Sequence, residues 1–233
     1  MRRSPRTSRA SSPAGRWTWA DRRVEALGCH CRSLTWRQNE DMAPSSAPTL
    51  RTERLLLRPF APSDEETLFQ LWNDADVRRF LWDDLPVARE TVREQIAQSQ
   101  EDFRERGYGL FLISATGAPG SILGATGLFR LPEADWVDLV YALRPEAWGK
   151  GLATEAARAV LRFAFEVAGL EEVLAGTDLG NTASMRVIER LGMTDEHERV
   201  VGPRRLPARY RRMRRQDFTA GPERFTVLQA PGG

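Results

Sequence analysis

Apolar and polar positions alternate along the chain with two periods, and the changes of period mark the elements. In TERLLLRPF, Leu55 and Leu57 alternate with Arg54 and Arg58, which predicts a strand. In SDEETLFQLWND, Leu68, Leu71 and Trp72 form an apolar helix face, and Ser63 with Glu66 predicts a capping box. A second helix is predicted over Ala88 to Arg106, stopped by Gly107. YGLFLIS, the turn ATGAPG and SILGATGLF predict a β-hairpin, and WVDLVYAL a fourth strand. Leu152, Ala156, Val160, Phe163 and Val167 return to helical spacing, EEVLAGT predicts a fifth strand, and Asn181 opens a short helix. Two last strands centre on Val200 and Tyr210. The order is strand-rich first and βαβα later, with no internal repeat.

Residues 1–48 lack sustained periodicity and are rich in Arg, Ser and Pro, a composition that cannot bury enough surface to fold alone. They are expected to be a disordered extension of a domain over residues 49–218, with 219–233 a flexible tail. Met42 stands just before the linker APSSAPT, which favours a translation start assigned too early over an organellar transit peptide. Residues 1–41 are accordingly expected to be dispensable.

With 233 residues, 41% of them hydrophobic, the chain can hold one domain with a substantial core. The net charge of +2 excludes bulk attraction to polyanions, so only local patches remain: residues 199–215 carry eight Arg and no acid. There Leu206, Tyr210 and Met213 interrupt the arginines as on a solvated edge strand, so nucleic acid is not an expected partner. A four-ligand zinc site would need Cys29, His30 and Cys31, adjacent in the irregular N-terminal stretch, together with the only other histidine, the distant His197. No metal is expected. No apolar run approaches the ~20 residues of a membrane span, and the domain reads as cytoplasmic, a monomer or a homodimer.

The chemistry concentrates in RPEAWGKGLATEA, residues 144–156, between the fourth strand and the next helix. A helix N-terminus presents unpaired N–H groups and a partial positive charge. Gly149 and Gly151 remove the Cβ atoms that would hold a ligand away and permit φ > 0, so that successive N–H groups converge on a phosphate. The plainer alternative is one glycine for the turn and one for helix packing. A Walker loop does not fit, because Lys150 is followed by Gly151 and the upstream glycine is missing; a dinucleotide fingerprint does not fit, because Thr154 stands at the third glycine.

Residues 143–153, LRPEAWGKGLA, resemble the pyrophosphate loop of the GNAT superfamily of N-acetyltransferases, Gln/Arg-x-x-Gly-x-Gly/Ala. NTASMRVIERLGM, Asn181 to Met193, resembles the family's second segment. With TERLLLRPF these look most like the RimJ/RimL-like branch, which acetylates ribosomal-protein N-termini; the likeness spans Leu50 to Phe218. It implies an α+β fold: a mostly antiparallel twisted sheet of about seven strands flanked by four helices, with the fourth and fifth strands splayed. It also implies acetyl-CoA as co-substrate. The turn Trp148, Gly149, Lys150 and Gly151 and the helix start Leu152, Ala153 and Thr154 would hold the diphosphate. Val140, Tyr141 and Leu143 would meet the pantetheine arm, as would Asn181 and Ser184. Glu146 stands at the family's Gln/Arg position, so neither it nor the Trp148 side chain is expected to bind phosphate. Ile188 stands where many members carry a proton-donating tyrosine.

Acetyl transfer from a thioester to an amine needs a neutral amine, stabilisation of an oxyanion and a proton for the leaving thiolate. By the resemblance Ser184 supplies that proton, with an ordinary helix-surface serine as the alternative. Asp138 relays a proton from the amine through water, or else is a solvated strand carboxylate. Glu196 and Glu198 are further candidates for the same role, while Tyr141 and Trp136 pack or line the acyl slot. The domain has no cysteine and no G-x-S-x-G, so direct transfer in a ternary complex is expected over a covalent route. The acceptor expected is a primary amine, a peptide or protein N-terminus ahead of a small molecule such as a polyamine. A non-catalytic acyl-CoA sensor is the rival reading.

Overall fold

In the computed structural model of the chain the described residues are 47–130, 136–201, 204–222 and 224–228, with the side chains of residues 195, 196 and 201 excepted. The extension carrying Cys29, His30, Cys31 and Met42 lies outside them, as does the side chain of Glu196.

Strands β1 (Thr49–Arg51) and β2 (Leu55–Pro59) pair antiparallel. Leu55 and Leu57 are fully buried and Arg54 is exposed, as their alternation requires. The next turn is capped by Asp64, and not by Ser63 and Glu66. Arg58 grips the Asp64 carboxylate at 2.6 and 2.7 Å, and the same carboxylate accepts the Ala61 N–H, fixing a 3₁₀ turn ahead of α1 (Glu65–Asn73). Asp74 then caps a helix the pattern does not predict, α2 (Ala75–Leu81), by accepting from the N–H groups of Asp76 and Val77. Helix α3 (Arg89–Arg106) ends at Gly107, left-handed at φ 73°, where the sequence places its stop.

Strands β3 (Leu110–Ala115), β4 (Ala118–Arg130) and β5 (Val137–Leu143) form an antiparallel meander. Helix α4 (Leu152–Glu166) leads to β6 (Glu172–Asp178), and α5 (Thr182–Arg190) to β7 (Thr194–Val201) and β8 (Leu206–Arg214). The last strand, β9 (Thr226–Leu228), pairs with β1. The sheet order is β7-β8-β6-β5-β4-β3-β2-β1-β9, antiparallel except between β5 and β6. The α+β architecture is the expected one, with nine strands and five α-helices among the described residues. The surplus comes from the three-residue strands β1 and β9 and the short α2. Part of the segment expected as a loose tail is β9.

The sheet divides the core. On one face Leu139, Leu143, Val173 and Ala175 pack with α4 and α5, including Phe163 and Ile188. On the other, Leu110, Leu112 and Phe129 pack with α1 to α3, including Trp72 and Ile96. Each such buried side chain contributes about 1.5–3 kcal/mol. Among the described residues no helix is long and apolar enough to cross a membrane, and no group of three or more His, Cys, Asp or Glu is placed to hold a metal ion.

Candidate active site

Strands β5 and β6 run parallel but share one register pair, Asp138 with Leu174. Beyond it they part, and a cavity of about 420 Å³ opens at their carboxyl ends, where α4 and α5 begin. Ligands in sheets with parallel strands commonly occupy such a crevice.

Gly149 and Gly151 are both left-handed, at φ 72° and 74°, and both line the cavity. A Cβ at Gly149 would meet no atom within 4 Å and one at Gly151 only Arg54 Nη2 at 3.7 Å, so neither glycine relieves a clash, and what each supplies is its left-handed φ. Leu152, Ala153 and Thr154 also line the wall, and the Thr154 hydroxyl is buried without a hydrogen-bond partner among the described residues. The Thr177 hydroxyl, on β6, is in the same condition. A buried unpaired hydroxyl costs about 1–3 kcal/mol, so the wall carries two polar groups that a ligand would satisfy. The residues present therefore fit CoA. Lys150 stands apart: its ammonium donates to the Glu146 carbonyl (2.7 Å), and it is not part of the wall. The Trp148 indole donates to the Leu143 carbonyl (2.7 Å), committing its polar atom to the strand end.

Strand parity decides which β5 groups face the gap. Arg144 N–H donates to the Leu123 carbonyl of β4 (2.8 Å), so by antiparallel alternation Val140 and Ala142 also turn their main chain to β4. The Val140 carbonyl accepts from Thr126 Oγ1 (2.9 Å) as well. The expected main-chain contacts of residues 140–143 thus narrow to Tyr141 and Leu143, and Val140 contributes its side chain.

Side chains alternate too. Tyr141 lies on the α4–α5 face, where its hydroxyl is 2.8 Å from Ser184 Oγ and donates to the Ser184 carbonyl (3.2 Å). Burial pushes the Tyr141 phenol up to about 12, against the opposing pull of the Ser184 hydrogen bond. Asn181 caps α5 by accepting the Ser184 N–H (3.0 Å), so the serine is held by main chain and side chain together. Ile188 is core, 1% exposed, and takes no part in the cavity.

Asp138 lies on the opposite face. It is 4% exposed and lines the cavity, which rules out the solvated-carboxylate alternative. Phe129 stands opposite it in the register of β4 and β5, and Asp76, Val77, Phe80 and Leu81 of α2 line the same cavity. Tyr210 closes this side. Its ring occupies the place of a Gly176 side chain, since a Cβ there would come 2.5 Å from the ring. Trp136 packs edge-on against Tyr210 (6.4 Å), with the Arg199 guanidinium 4.2 Å over the Trp136 ring. Trp136 and Glu198 are not among the cavity's lining residues.

Sequence reasoning missed α2, Thr177, Tyr210, and Arg186 with Arg190 on α5, all of which line the cavity. Asp74 ahead of ADVRRFL was the readable sign of α2. The Gly176–Tyr210 pairing depends on register between β6 and β8 and has no local signal.

The chain belongs to the GNAT acetyltransferases: the family model of the acetyltransferase (GNAT) domain matches residues 54–194. It is similar to the uncharacterized protein YkkB of Bacillus subtilis, 36% identical over 148 residues, covering 62% of this chain and 84% of that protein. It is also similar to the spermidine N(1)-acetyltransferase of Escherichia coli, 27% identical over 146 residues, with 61% and 74% covered. The fold is that of the ribosomal-protein-S5-alanine acetyltransferase of Vibrio fischeri, with a TM-score of 0.59 at 18% identity, over 73% of this chain and 98% of that one. The protein is an acyltransferase, an acetyl-CoA-dependent N-acetyltransferase.

Proposed function

We propose that the acceptor is the α-amine of a peptide or protein N-terminus, acetylated directly in a ternary complex. The observation that carries this reading is the division of chemistry across the sheet. Asp138 is the buried carboxylate among the described residues of the wall, Phe129 stands opposite it, and apolar side chains of α2 line the same cavity. Such a site accepts one cationic amine with an apolar neighbour. An α-amine, with pKa near ~8, reaches it partly neutral at pH 7, whereas a lysine near ~10.4 does not. Asp138 takes the remaining proton through water. On the opposite face Ser184, backed by Tyr141, protonates the departing thiolate. Amine and thiol thus approach and leave on different sides of the sheet, which needs no covalent enzyme intermediate. Donors for the charge on the carbonyl oxygen come from the β5 main chain at Tyr141 and Leu143.

Asp76 and Asp178, also on the wall, favour a second reading, a polyamine acceptor with several charges to satisfy. Thiol release from acetyl-CoA against peptides with free and blocked N-termini, polyamines and amino acids, with products identified by mass spectrometry, separates the two. Terminal acetylation of free peptides is expected. Faster turnover of polyamines would favour the second reading, and acetylation of hydroxyls alone would overturn both.

A further inference from the structure

We infer that Thr52, Arg54 and Glu155 form a clamp that aims the main chain of the Gly149–Gly151 turn at the diphosphate of CoA, an inference that rests on reading that turn as the cofactor's cradle. None of the three lines the cavity. Glu155, in the first turn of α4, accepts on Oε1 from Thr52 Oγ1 (2.6 Å) and from the Arg54 main-chain N–H (3.0 Å), and on Oε2 from Arg54 Nε (2.6 Å). Arg54 Nη2 reaches the same Oε2 at 2.6 Å, and Nη1 donates to the Lys150 carbonyl (3.0 Å). The short link between β1 and β2 is thereby fastened to a turn about a hundred residues further along the chain.

The effect on the turn is stereochemical. Across a planar trans peptide the carbonyl and the following N–H point in opposite directions. Holding the Lys150 carbonyl on Arg54 therefore directs the Gly151 N–H away from Arg54, and Gly151 lies on the cavity wall. The next peptide is fixed by the Glu155 N–H, which donates to the Gly151 carbonyl (3.1 Å) and leaves the Leu152 N–H pointing out of the helix start. Glycines impose no rotational restraint of their own. The clamp supplies it.

Charge adds to geometry. A carboxylate in the first turn of a helix stabilises the helix but repels a bound diphosphate. Arg54 neutralises Glu155 with a forked, charge-assisted contact and still reaches the Lys150 carbonyl, which the single ammonium of a lysine does less completely.

The test compares acetyl-CoA with S-acetylpantetheine, which carries the same thioester and no diphosphate, in steady-state kinetics, beside calorimetric titration with CoA and a thermal melt. Arg54→Ala is expected to raise the CoA Kd and the KM for acetyl-CoA roughly ten- to a hundredfold, with kcat at saturation within about twofold. Glu155→Gln and Thr52→Val should shift the same constants less, and Arg54→Lys should restore part of the loss. Turnover of S-acetylpantetheine should be unchanged in all four. Unaltered CoA affinity in both Arg54→Ala and Glu155→Gln would overturn the inference, as would an equal loss with both thioesters. Failure of the unaltered chain to bind CoA would remove the cofactor reading, and the clamp with it.

Discussion

The hydroxyls of Tyr141 and Ser184 lie 2.8 Å apart, joining β5 to the first turn of α5 across 43 positions of sequence. Ser184→Ala should lower kcat on the order of 10²-fold or more while CoA affinity, measured by titration, stays nearly constant. Tyr141→Phe should cost less, and the double variant little more than Ser184→Ala, since the two hydroxyls act through one another. Activity of Ser184→Ala within about twofold of the unaltered protein would reduce the pair to packing.

Burial raises Tyr108, as it does Tyr141, to about 12 from an ordinary value of 10.0. The unfolded chain therefore loses these protons first. Between pH 10 and 12 it binds fewer protons than the folded one, so their stabilisation is intact below the unfolded value and is lost as pH rises through that window. Urea midpoints followed up the alkaline range should fall there, and Tyr108→Phe should flatten the fall. Because Tyr141 stays protonated at working pH, Tyr141→Phe should leave the shape of the kcat/KM profile below about pH 10 unchanged.

Asp138→Asn should leave CoA titration unchanged and lower kcat/KM for the amine. Raising the pH should recover part of the loss, since the amine then arrives neutral without help. A loss independent of pH would deny Asp138 the proton relay.

Gly151→Val should abolish CoA binding while the fold survives. The nearest atom to an added Cβ is Arg54 Nη2 at 3.7 Å, so the cost to the free protein is that of a branched residue at φ 74°, roughly 1–3 kcal/mol. Calorimetry and a melt on one sample distinguish lost binding from lost structure. Unchanged affinity would remove the turn from the phosphate site.

Gly176→Ala acts on the other face. Its Cβ would meet the Tyr210 ring at 2.5 Å, so the ring or the strand must shift, at about 1–3 kcal/mol. A lower urea midpoint is expected, together with a higher KM for the amine, because Tyr210 lines the cavity. An amine KM equal to that of the unaltered protein would place Tyr210 outside acceptor binding.

The glycine turn was legible because its requirement is local: two glycines at left-handed φ leave a mark in residue type. The stop of α3 at Gly107 was readable for the same reason. Asp64 was not, since Ser63 and Glu66 match the capping pattern equally well and only Arg58, six residues back, decides between them. Tyr141 read as a residue that meets the pantetheine arm, packs or lines the acyl slot, and its bond to Ser184 went unread because nothing near it in sequence announces that partner. The strands β1 and β9 are three residues long and carry no period. What sequence conveyed was the conformational demand of single residues; what it withheld was the company each side chain keeps after the sheet is assembled.

Thr49 and Leu228 stand opposite each other in β1 and β9, at one edge of the sheet. The described domain therefore has its beginning and end at the same place, and its connectivity is nearly a ring. A short linker from β9 to β1, with the chain opened between Thr116 and Gly117, would keep every strand beside its present neighbours. Such a circular permutant should fold and bind CoA, checked by a melt and a titration, although its first strand would be β4 and its last β3. The site is then a property of which strands are neighbours, indifferent to the point from which the chain is read.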